Sequence, residues 1–333
     1  MIYQYSVSVR LMVYNHEPYI REAINGILMQ RTNFLVEVVI GDDFSTDKSL
    51  EIIREYKNTS NVHFKILERK EGDKYWLDRQ KLGRLHNFYN IIENCKGNYI
   101  ALLDGDDYWT DPFKLQKQFD FLETNNDYIV CSHDATIIDS KGNVIKESKL
   151  PDTFKKDATS DELKKGFWLL TLGMMFRNLE SLKSYPKEGY EIVNGDIFFS
   201  SYLGQFGKSK YMDNIEPASY RDHGGGIWSV KTKKNKNIDS LNTLFCTAKY
   251  YDRINDKISK EIYLSCYIKG YWLFISGLKN NWSFSSQLKI LKYVVVSFIK
   301  IKNISYILNG INKTFFTLLK KISSFIMSKI QQN

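Results

Sequence analysis

The stretch that decides the fold is Tyr99-Ile100-Ala101-Leu102-Leu103-Asp104-Gly105-Asp106-Asp107-Tyr108-Trp109. Its first five residues are mostly apolar, which is typical of a parallel strand that is buried on both faces. Three carboxylates follow within four positions, and ligands of open α/β sheets bind beyond the carboxyl ends of such strands. Crowded carboxylates repel one another unless a cation joins them, and hard divalent cations prefer oxygen ligands. The stretch therefore predicts a buried strand that ends at a site for Mg²⁺ or Mn²⁺ with a diphosphate; an acidic surface turn is the alternative.

The composition is that of a folded protein. The chain has 333 residues, of which 43% are apolar and 14% aromatic, enough for one large domain with an appendage or for two domains. The four cysteines show neither paired nor metal-ligand spacing, which fits a reducing compartment. The N-terminus enters a strand-like run directly, and no apolar run reaches the roughly 20 residues of a membrane span. We therefore expect a cytoplasmic protein without a signal peptide.

The net charge of +9 is concentrated near the C-terminus. Residues 262–333 contain ten lysines and no arginine, aspartate or glutamate, so residues 1–261 carry a net charge of −1. A near-neutral body argues against nucleic acid as a partner. Within residues 302–333 the lysines lie beside an apolar stripe at helical spacing, which fits a peripheral anchor on an anionic membrane surface. The alternative is a helix bundle that packs on the body or on a second subunit of a homo-oligomer.

Strands alternate with helices through the first half of the chain. Apolar runs predict strands at 6–13, 36–41, 62–66 and 99–103, and helical spacing predicts helices at 19–29, 50–56, 82–92 and 114–123. Further strands are predicted at 128–135 and 171–176, with a hairpin at 137–145. This alternation predicts an α/β fold with a mostly parallel sheet and covering helices. Polar groups follow three of the strands, at Tyr14-Asn15, Asp42-Asp43 and Asp104 to Asp107, and parallel strands would gather them at one edge.

At these positions the chain resembles the family-2 glycosyltransferases of GT-A fold. The resemblance covers roughly residues 5–230 and rests on five stretches in order, Val13-Tyr14-Asn15, Val39-Ile40-Gly41-Asp42-Asp43-Phe44-Ser45-Thr46-Asp47, Tyr99 to Trp109, Asn194-Gly195-Asp196 and Tyr220-Arg221-Asp222-His223-Gly224-Gly225-Gly226-Ile227-Trp228-Ser229. The chain departs from the family pattern where Met12-Val13 replaces Pro-Thr, Phe44 replaces Gly and Lys81 replaces Asn. The Gln-x-x-Arg-Trp motif and membrane spans of processive synthases are absent, which implies one transfer per encounter. We expect a GT-A domain at 1–230, a basic linker at 231–240 and a helical, lysine-rich region at 241–333.

The resemblance implies an activated sugar nucleotide as the donor. The side chains that would contact it are Tyr14, Asn15, Asp43, Arg84, Asn87, Asp104 and Arg221. Asp43 would accept a hydrogen bond from the N3–H of uracil or thymine, Asp104 would touch the ribose or reach the metal through water, and Arg221 would clamp a phosphate. Asp106 would bind Mn²⁺ or Mg²⁺ directly. His223, which precedes a run of glycines, would complete the metal shell or contact the diphosphate.

Asp196 is the candidate general base, because an attacking acceptor hydroxyl must lose a proton to a group within hydrogen-bond reach. One displacement with one base implies inversion at the anomeric carbon. A helix N-cap is the alternative for Asp196, and turn or cap roles are favoured for Asp42 and Asp47. Structural or surface roles are equal alternatives for Arg84 and His223, and core packing is the alternative to a lid contact for Trp228. The other histidines, at positions 16, 63, 86 and 133, are assigned no role in the site.

The sequence thus predicts an inverting, metal-dependent glycosyltransferase. It would move one sugar from a nucleotide-diphosphate donor, expected to be UDP-linked, to a hydroxyl of a glycan or lipid-linked acceptor in surface polysaccharide assembly. A nucleotidyltransferase with a similar sheet is one alternative, although Tyr14 to Glu17 contains no glycine and is unlike a triphosphate-binding loop. A nucleotide-sugar-binding scaffold without activity is the other.

Overall fold

The computed structural model describes residues 4–182, 184–193, 195–226 and 229–277. Its strands, in chain order, are β1 (Val7–Val13), β2 (Val36–Asp42), β3 (Val62–Ile66), β4 (Tyr99–Asp104), β5 (Tyr128–Ser132), β6 (Ala135–Ile138), β7 (Val144–Lys146), β8 (Met175–Arg177), β9 (Lys208–Tyr211) and β10 (Ala218–Arg221). Its helices are α1 (Ile20–Leu28), α2 (Ser49–Glu55), α3 (Lys74–Leu82), α4 (Leu85–Glu93), α5 (Lys114–Thr124), α6 (Ser160–Lys164), α7 (Gly195–Leu203), α8 (Lys233–Arg253) and α9 (Lys257–Gly277). Asn194, Trp228 and residues 302–333 lie outside the described residues.

The main sheet has seven strands in the order β3-β2-β1-β4-β8-β5-β9. β1 pairs in parallel with β2 and β4, and β2 pairs in parallel with β3. β8 runs antiparallel to both β4 and β5, whereas β9 runs parallel to β5. This arrangement confirms the predicted α/β fold with a mostly parallel sheet. The carboxyl ends of β1, β2 and β4 therefore lie side by side at one edge.

A smaller sheet follows the order β10-β6-β7. The antiparallel pair of β6 and β7 confirms the predicted hairpin, and β10 pairs in parallel with β6. The predicted strand at 171–176 is wrong in its first half, where Thr171–Gly173 forms a 3₁₀ turn before β8 begins at Met175. Gly173 lies so close to the backbone of His133 that an added Cβ would be 2.5 Å from the His133 carbonyl oxygen. This close approach explains why the apolar run does not continue as one strand.

β1 shows how the sequence builds the core. Val7, Val9, Leu11 and Val13 alternate along the strand and are fully buried in the main apolar cluster, which also includes residues of α1. Arg10 points to the other face, where Phe88 of α4 covers its guanidinium. Helices thus cover both faces of the strand, so the loops at its carboxyl end start from a rigid base.

We expect Gly41→Ala to lower the free energy of unfolding by about 1–3 kcal/mol, the usual cost of overpacking. A Cβ at Gly41 would lie 2.4 Å from Ile91 Cγ1 and 2.7 Å from Asn87 Oδ1. α4 is tied at this height because Asn87 Nδ2 donates to the Gly41 carbonyl oxygen at 3.0 Å. Urea unfolding measures the change, with Gly226→Ala as the control, since its nearest atom would be Ser229 Oγ at 3.5 Å. Equal stability of the two variants would contradict the close packing of α4 on β2.

The C-terminal part of the described chain is helical, as predicted. α8 begins at Lys233, inside the stretch expected to be a linker, and α9 follows it. The chain divides into two compact units, residues 1–247 and 248–333. None of the helices in the described part of the chain has both the length and the apolar character needed to cross a membrane.

Candidate functional site

Two loops at the carboxyl edge of the main sheet are tied together. Asn15 adopts a left-handed conformation with φ of 54°, and its side-chain oxygen accepts from the Thr46 amide at 2.8 Å. The Asn15 amide donates to Ser45 Oγ at 2.9 Å. Asp47 accepts from the Glu17 amide, and Asp42 accepts from the Ser45 amide, which confirms the turn roles favoured for both aspartates. Asn15 therefore shapes the site, while Tyr14, whose residue is 54% exposed, presents its ring at the edge.

Asp43 lies at the end of β2 with two side-chain partners from α3. Its Oδ1 accepts from the Tyr75 hydroxyl at 2.8 Å, and its Oδ2 lies 2.9 Å from Arg79 Nε. The next residue, Phe44, has φ of 62°, a left-handed conformation that favours glycine and accounts for the family's Gly at this position. Neither Tyr75 nor Arg79 is among the predicted site residues, because no helix is predicted between the strand at 62–66 and the helix at 82–92.

Arg84 is the N-cap residue of α4 and Asn87 lies in the first turn of that helix, and the two differ in role. The Arg84 guanidinium donates to the Val193 carbonyl oxygen. Burial lowers the pKa of Arg84, while the negative charges of Asp196 and Asp104 oppose that change. Asn87 is buried, and its Nδ2 bond to Gly41 holds α4 on β2. Arg84 therefore lies within the electrostatic reach of two predicted site carboxylates, whereas Asn87 is engaged in packing.

Asp104, at the end of β4, pairs with a strand residue that sequence reasoning passed over. Its Oδ1 lies 2.6 Å from Arg10 Nη1, and its side chain is 29% exposed while that of Arg10 is 0% exposed. The carboxylate thus faces the edge of the sheet with a buried cation behind it. The signal in the sequence is Arg10, the one charged residue in the strand-forming run 7–13.

Asp106 is flanked by two imidazoles. His223 Nε2 lies 3.2 Å from Asp106 Oδ2, and His16 Nε2 lies 3.7 Å from the same oxygen. Burial acts to raise the pKa of Asp106, but the hydrogen bond to His223 and the nearby charge of His16 produce a net lowering. The same hydrogen bond raises the pKa of His223. The structure thus brings the predicted pair Asp106 and His223 together, and adds His16, which had been assigned no role.

The donor atoms around Asp106 suit a divalent cation that also binds a substrate. A carboxylate oxygen and an imidazole nitrogen converge at Asp106 and His223, and Mn²⁺ accepts both types of ligand. Within the described residues, no group of three or more His, Cys, Asp or Glu side chains could hold a metal by itself. A cation at this point would therefore need further oxygens, and Mg²⁺ is commonly bound by one or two carboxylates together with substrate phosphates. The residues fit that partial shell.

Arg221 differs from its predicted role. Its guanidinium is buried, donates from Nε to the Asp106 carbonyl oxygen at 3.1 Å, and pairs with Glu22. Its backbone amide donates to Asp107 Oδ1 at 2.8 Å. The predicted phosphate clamp is not the arrangement in the structure, because these protein groups engage the arginine. Arg221 instead holds the turn that presents Asp106.

Asp196 lies in the first turn of α7, one residue inside the helix, which begins at Gly195. Burial raises the pKa of its carboxyl group, while a hydrogen bond from the Ile197 amide and the positive charges of Arg84 and Lys149 oppose that change. Lys149, a second residue that sequence reasoning missed, lies with its Nζ 3.3 Å from the centre of the Tyr220 ring. Asp196 is thus a desolvated carboxylate on which the positive charges of Arg84 and Lys149 act, an environment suited to proton transfer.

The match to known sequences defines the family. The profile described as Glycosyl transferase family 2 matches residues 8–183, more than half of the chain. The chain belongs to glycosyltransferase family 2.

An uncharacterised protein of Mycobacterium tuberculosis is 33% identical over 232 residues, which make up 69% of this chain and 63% of that protein. The putative glycosyltransferase EpsH of Bacillus subtilis is 26% identical over 262 residues, or 77% of this chain and 71% of EpsH. The match therefore spans less than two thirds of the mycobacterial protein.

Solved structures share the fold. A fragment of Staphylococcus aureus TarS in complex with UDP has a TM-score of 0.59 at 17% identity, covering 89% of this chain and 81% of that one. The mannosyltransferase PcManGT of Pyrobaculum calidifontis, in complex with GDP-Man and Mn²⁺, has a TM-score of 0.52 at 15% identity, with 89% and 81% coverage. At these identities the likeness shows the fold alone, and it confirms the predicted GT-A architecture.

Proposed function

We propose that the protein is an inverting, metal-dependent glycosyltransferase that moves one sugar from a UDP-linked donor to a hydroxyl of a glycan or lipid-linked acceptor. The observation that carries the proposal is the position of Asp43, Asp104 and Asp106 at the carboxyl edge of one sheet. The negative charges of Asp104 and Asp196 both act on the nearby Arg84. The complexes of TarS with UDP and of PcManGT with GDP-Man and Mn²⁺ support a nucleotide donor and a divalent cation.

The donor would lie along this edge from Asp43 to Asp106. Asp43 accepts from the N3–H of the base, and its partners Tyr75 and Arg79 fix the direction of its lone pairs. Asp104, backed by Arg10, accepts from the ribose hydroxyls. Asp106 and His223 would hold the cation, which when bound neutralises charge on the departing diphosphate. Arg221 keeps Asp106 in place through the backbone of the turn.

Asp196 would accept the proton of the acceptor hydroxyl as that oxygen attacks the anomeric carbon from the face opposite the diphosphate. Burial raises the pKa of Asp196 and so makes it a stronger base than an ordinary aspartate, while Arg84 and Lys149 favour its ionised form. A single displacement inverts the anomeric centre. We place the acceptor in surface polysaccharide assembly, with residues 302–333 as a peripheral anchor on the inner face of the cell membrane.

Calorimetric titration with UDP, TDP and GDP, each with and without Mn²⁺, tests the donor site. We expect UDP to bind, and Mn²⁺ to raise its affinity about tenfold or more, because the cation joins Asp106 to the diphosphate. UMP is the matched control ligand, since it lacks the second phosphate and should gain less from Mn²⁺. Folded protein that binds none of the three diphosphates would contradict the proposed function.

A further inference from the structure

Arg10 is buried in the central strand of the main sheet. The pairing of β1 with β4 sets Arg10 beside Leu102 and Met12 beside Asp104. Residues two apart on a strand share a face, so Arg10 and Asp104 point to the same side of the sheet. The side chain of Arg10 extends along β1 from the Arg10–Leu102 pair to the Met12–Asp104 pair, where it reaches Asp104. Its Nη1 lies 2.6 Å from Asp104 Oδ1, and its guanidinium lies 4.6 Å from the centre of the Phe88 ring.

Burial of a charged guanidinium inside a strand carries a desolvation penalty in free energy. Transfer of a guanidinium out of water is repaid only where charge pairing and hydrogen bonds are good. Within the described residues, the Nε and Nη2 atoms of Arg10 are buried without a hydrogen-bond partner. An aliphatic side chain would fill a buried strand position without that cost. Asp104 is the group that gains from the arginine, since the pair fixes one of its two carboxylate oxygens.

We propose that Arg10 is a positioning residue for the donor nucleotide, acting through Asp104. By holding Oδ1, it turns the other oxygen of Asp104 toward the partly exposed edge, where it accepts from a ribose hydroxyl. The side chain of Arg10 is 0% exposed, so it would act on the nucleotide only through Asp104. The buried guanidinium of Arg10 balances the negative charge of Asp104. Asp104 therefore need not bind the divalent cation, which Asp106 and His223 would hold. The inference rests on the proposed function, because it requires a nucleotide at this edge.

The test compares the affinities of UDP, 2′-deoxy-UDP and 3′-deoxy-UDP in Mn²⁺ for the full chain and for Arg10→Met. We expect the unaltered protein to prefer UDP over at least one deoxy analogue by about tenfold to a hundredfold, the usual range for a hydrogen bond to a charged group. Arg10→Met should lower UDP affinity about tenfold and leave affinity for that analogue unchanged, so that the preference collapses. Arg10→Lys keeps the positive charge but not the planar guanidinium, and it should restore part of the preference for UDP.

Circular dichroism and Mn²⁺ titration serve as controls for folding and for the cation site, and both should match the unaltered protein. If Arg10→Met does not fold, Arg10→Lys carries the test, and its preference for UDP should be smaller than that of the unaltered protein. Equal losses for UDP and the deoxy analogues would indicate a merely structural arginine and overturn the inference. An unaltered protein that binds no nucleotide would overturn the proposed function itself.

Discussion

Asp196→Asn is expected to lower kcat by about 10²–10⁴-fold, the usual contribution of a positioned general base. Asparagine has nearly the same shape and remains compatible with the first turn of α7, so the fold should persist. UDP affinity should change less than about twofold, because Asp196 acts on the acceptor and not on the nucleotide. Steady-state kinetics with calorimetry separates the two effects.

The matched control for this variant is Asp161→Asn, since Asp161 is also an acid in the first turn of a helix, α6. It should retain normal kcat, which would exclude a general effect of removing a helix-terminal carboxylate. A pH profile adds a second reading. Only the ionised carboxylate accepts a proton, so kcat should fall as pH falls through the raised pKa of Asp196. That acid limb should lie above the value of about 3.9 typical of aspartate and disappear in Asp196→Asn. Unchanged kcat in the variant would remove Asp196 from the reaction.

Most of the parallel part of the fold could be predicted because β1, β2 and β4 are buried along almost their whole length and are mostly apolar in sequence. α1 shows a clear apolar stripe. α3 could not be found in this way, because no residue of that helix is buried. Its local sign was Asp73, whose side chain accepts from the Trp76 amide as an N-cap. A helix that contacts a site rather than the core has few buried apolar residues, so its sequence shows little of the apolar periodicity that predicts a helix.

The candidate site was predictable where its residues follow strand ends, and less so where a role depends on tertiary partners. The position of Asp43, Asp104 and Asp106 at one edge of the sheet could be predicted because parallel strands end there, while their roles stay predictions. The engagement of Arg221 with Glu22 depends on contact between residues far apart in sequence, which one sequence does not reveal. His16 is next to Asn15 in a loop already assigned to the site, so its approach to Asp106 was the most accessible of the missed contacts.

Asp106→Asn is expected to abolish the effect of Mn²⁺ on UDP binding and to lower kcat by about 10²–10⁴-fold, since a cation supplies several kcal/mol of stabilisation to a departing diphosphate. The amide removes the negative charge to which His223 and His16 are drawn, so the variant loses the carboxylate ligand and the ordering of both imidazoles.

Two histidine variants grade this effect. His223→Gln should weaken Mn²⁺-dependent UDP binding more than His16→Gln, because His223 Nε2 lies 3.2 Å from Asp106 Oδ2 and His16 Nε2 lies 3.7 Å from it. UMP binding without metal is the control for the nucleotide site and should be similar in all three variants, because the base and ribose contacts are elsewhere on the edge. A gain in UDP affinity with Mn²⁺ that persists in Asp106→Asn would place the cation on other ligands. A loss of UMP binding in Asp106→Asn would instead indicate that Asp106 is needed to keep the sheet edge folded. In that case the hydrogen bonds that Arg221 makes to residues 106 and 107 would depend on the Asp106 carboxylate.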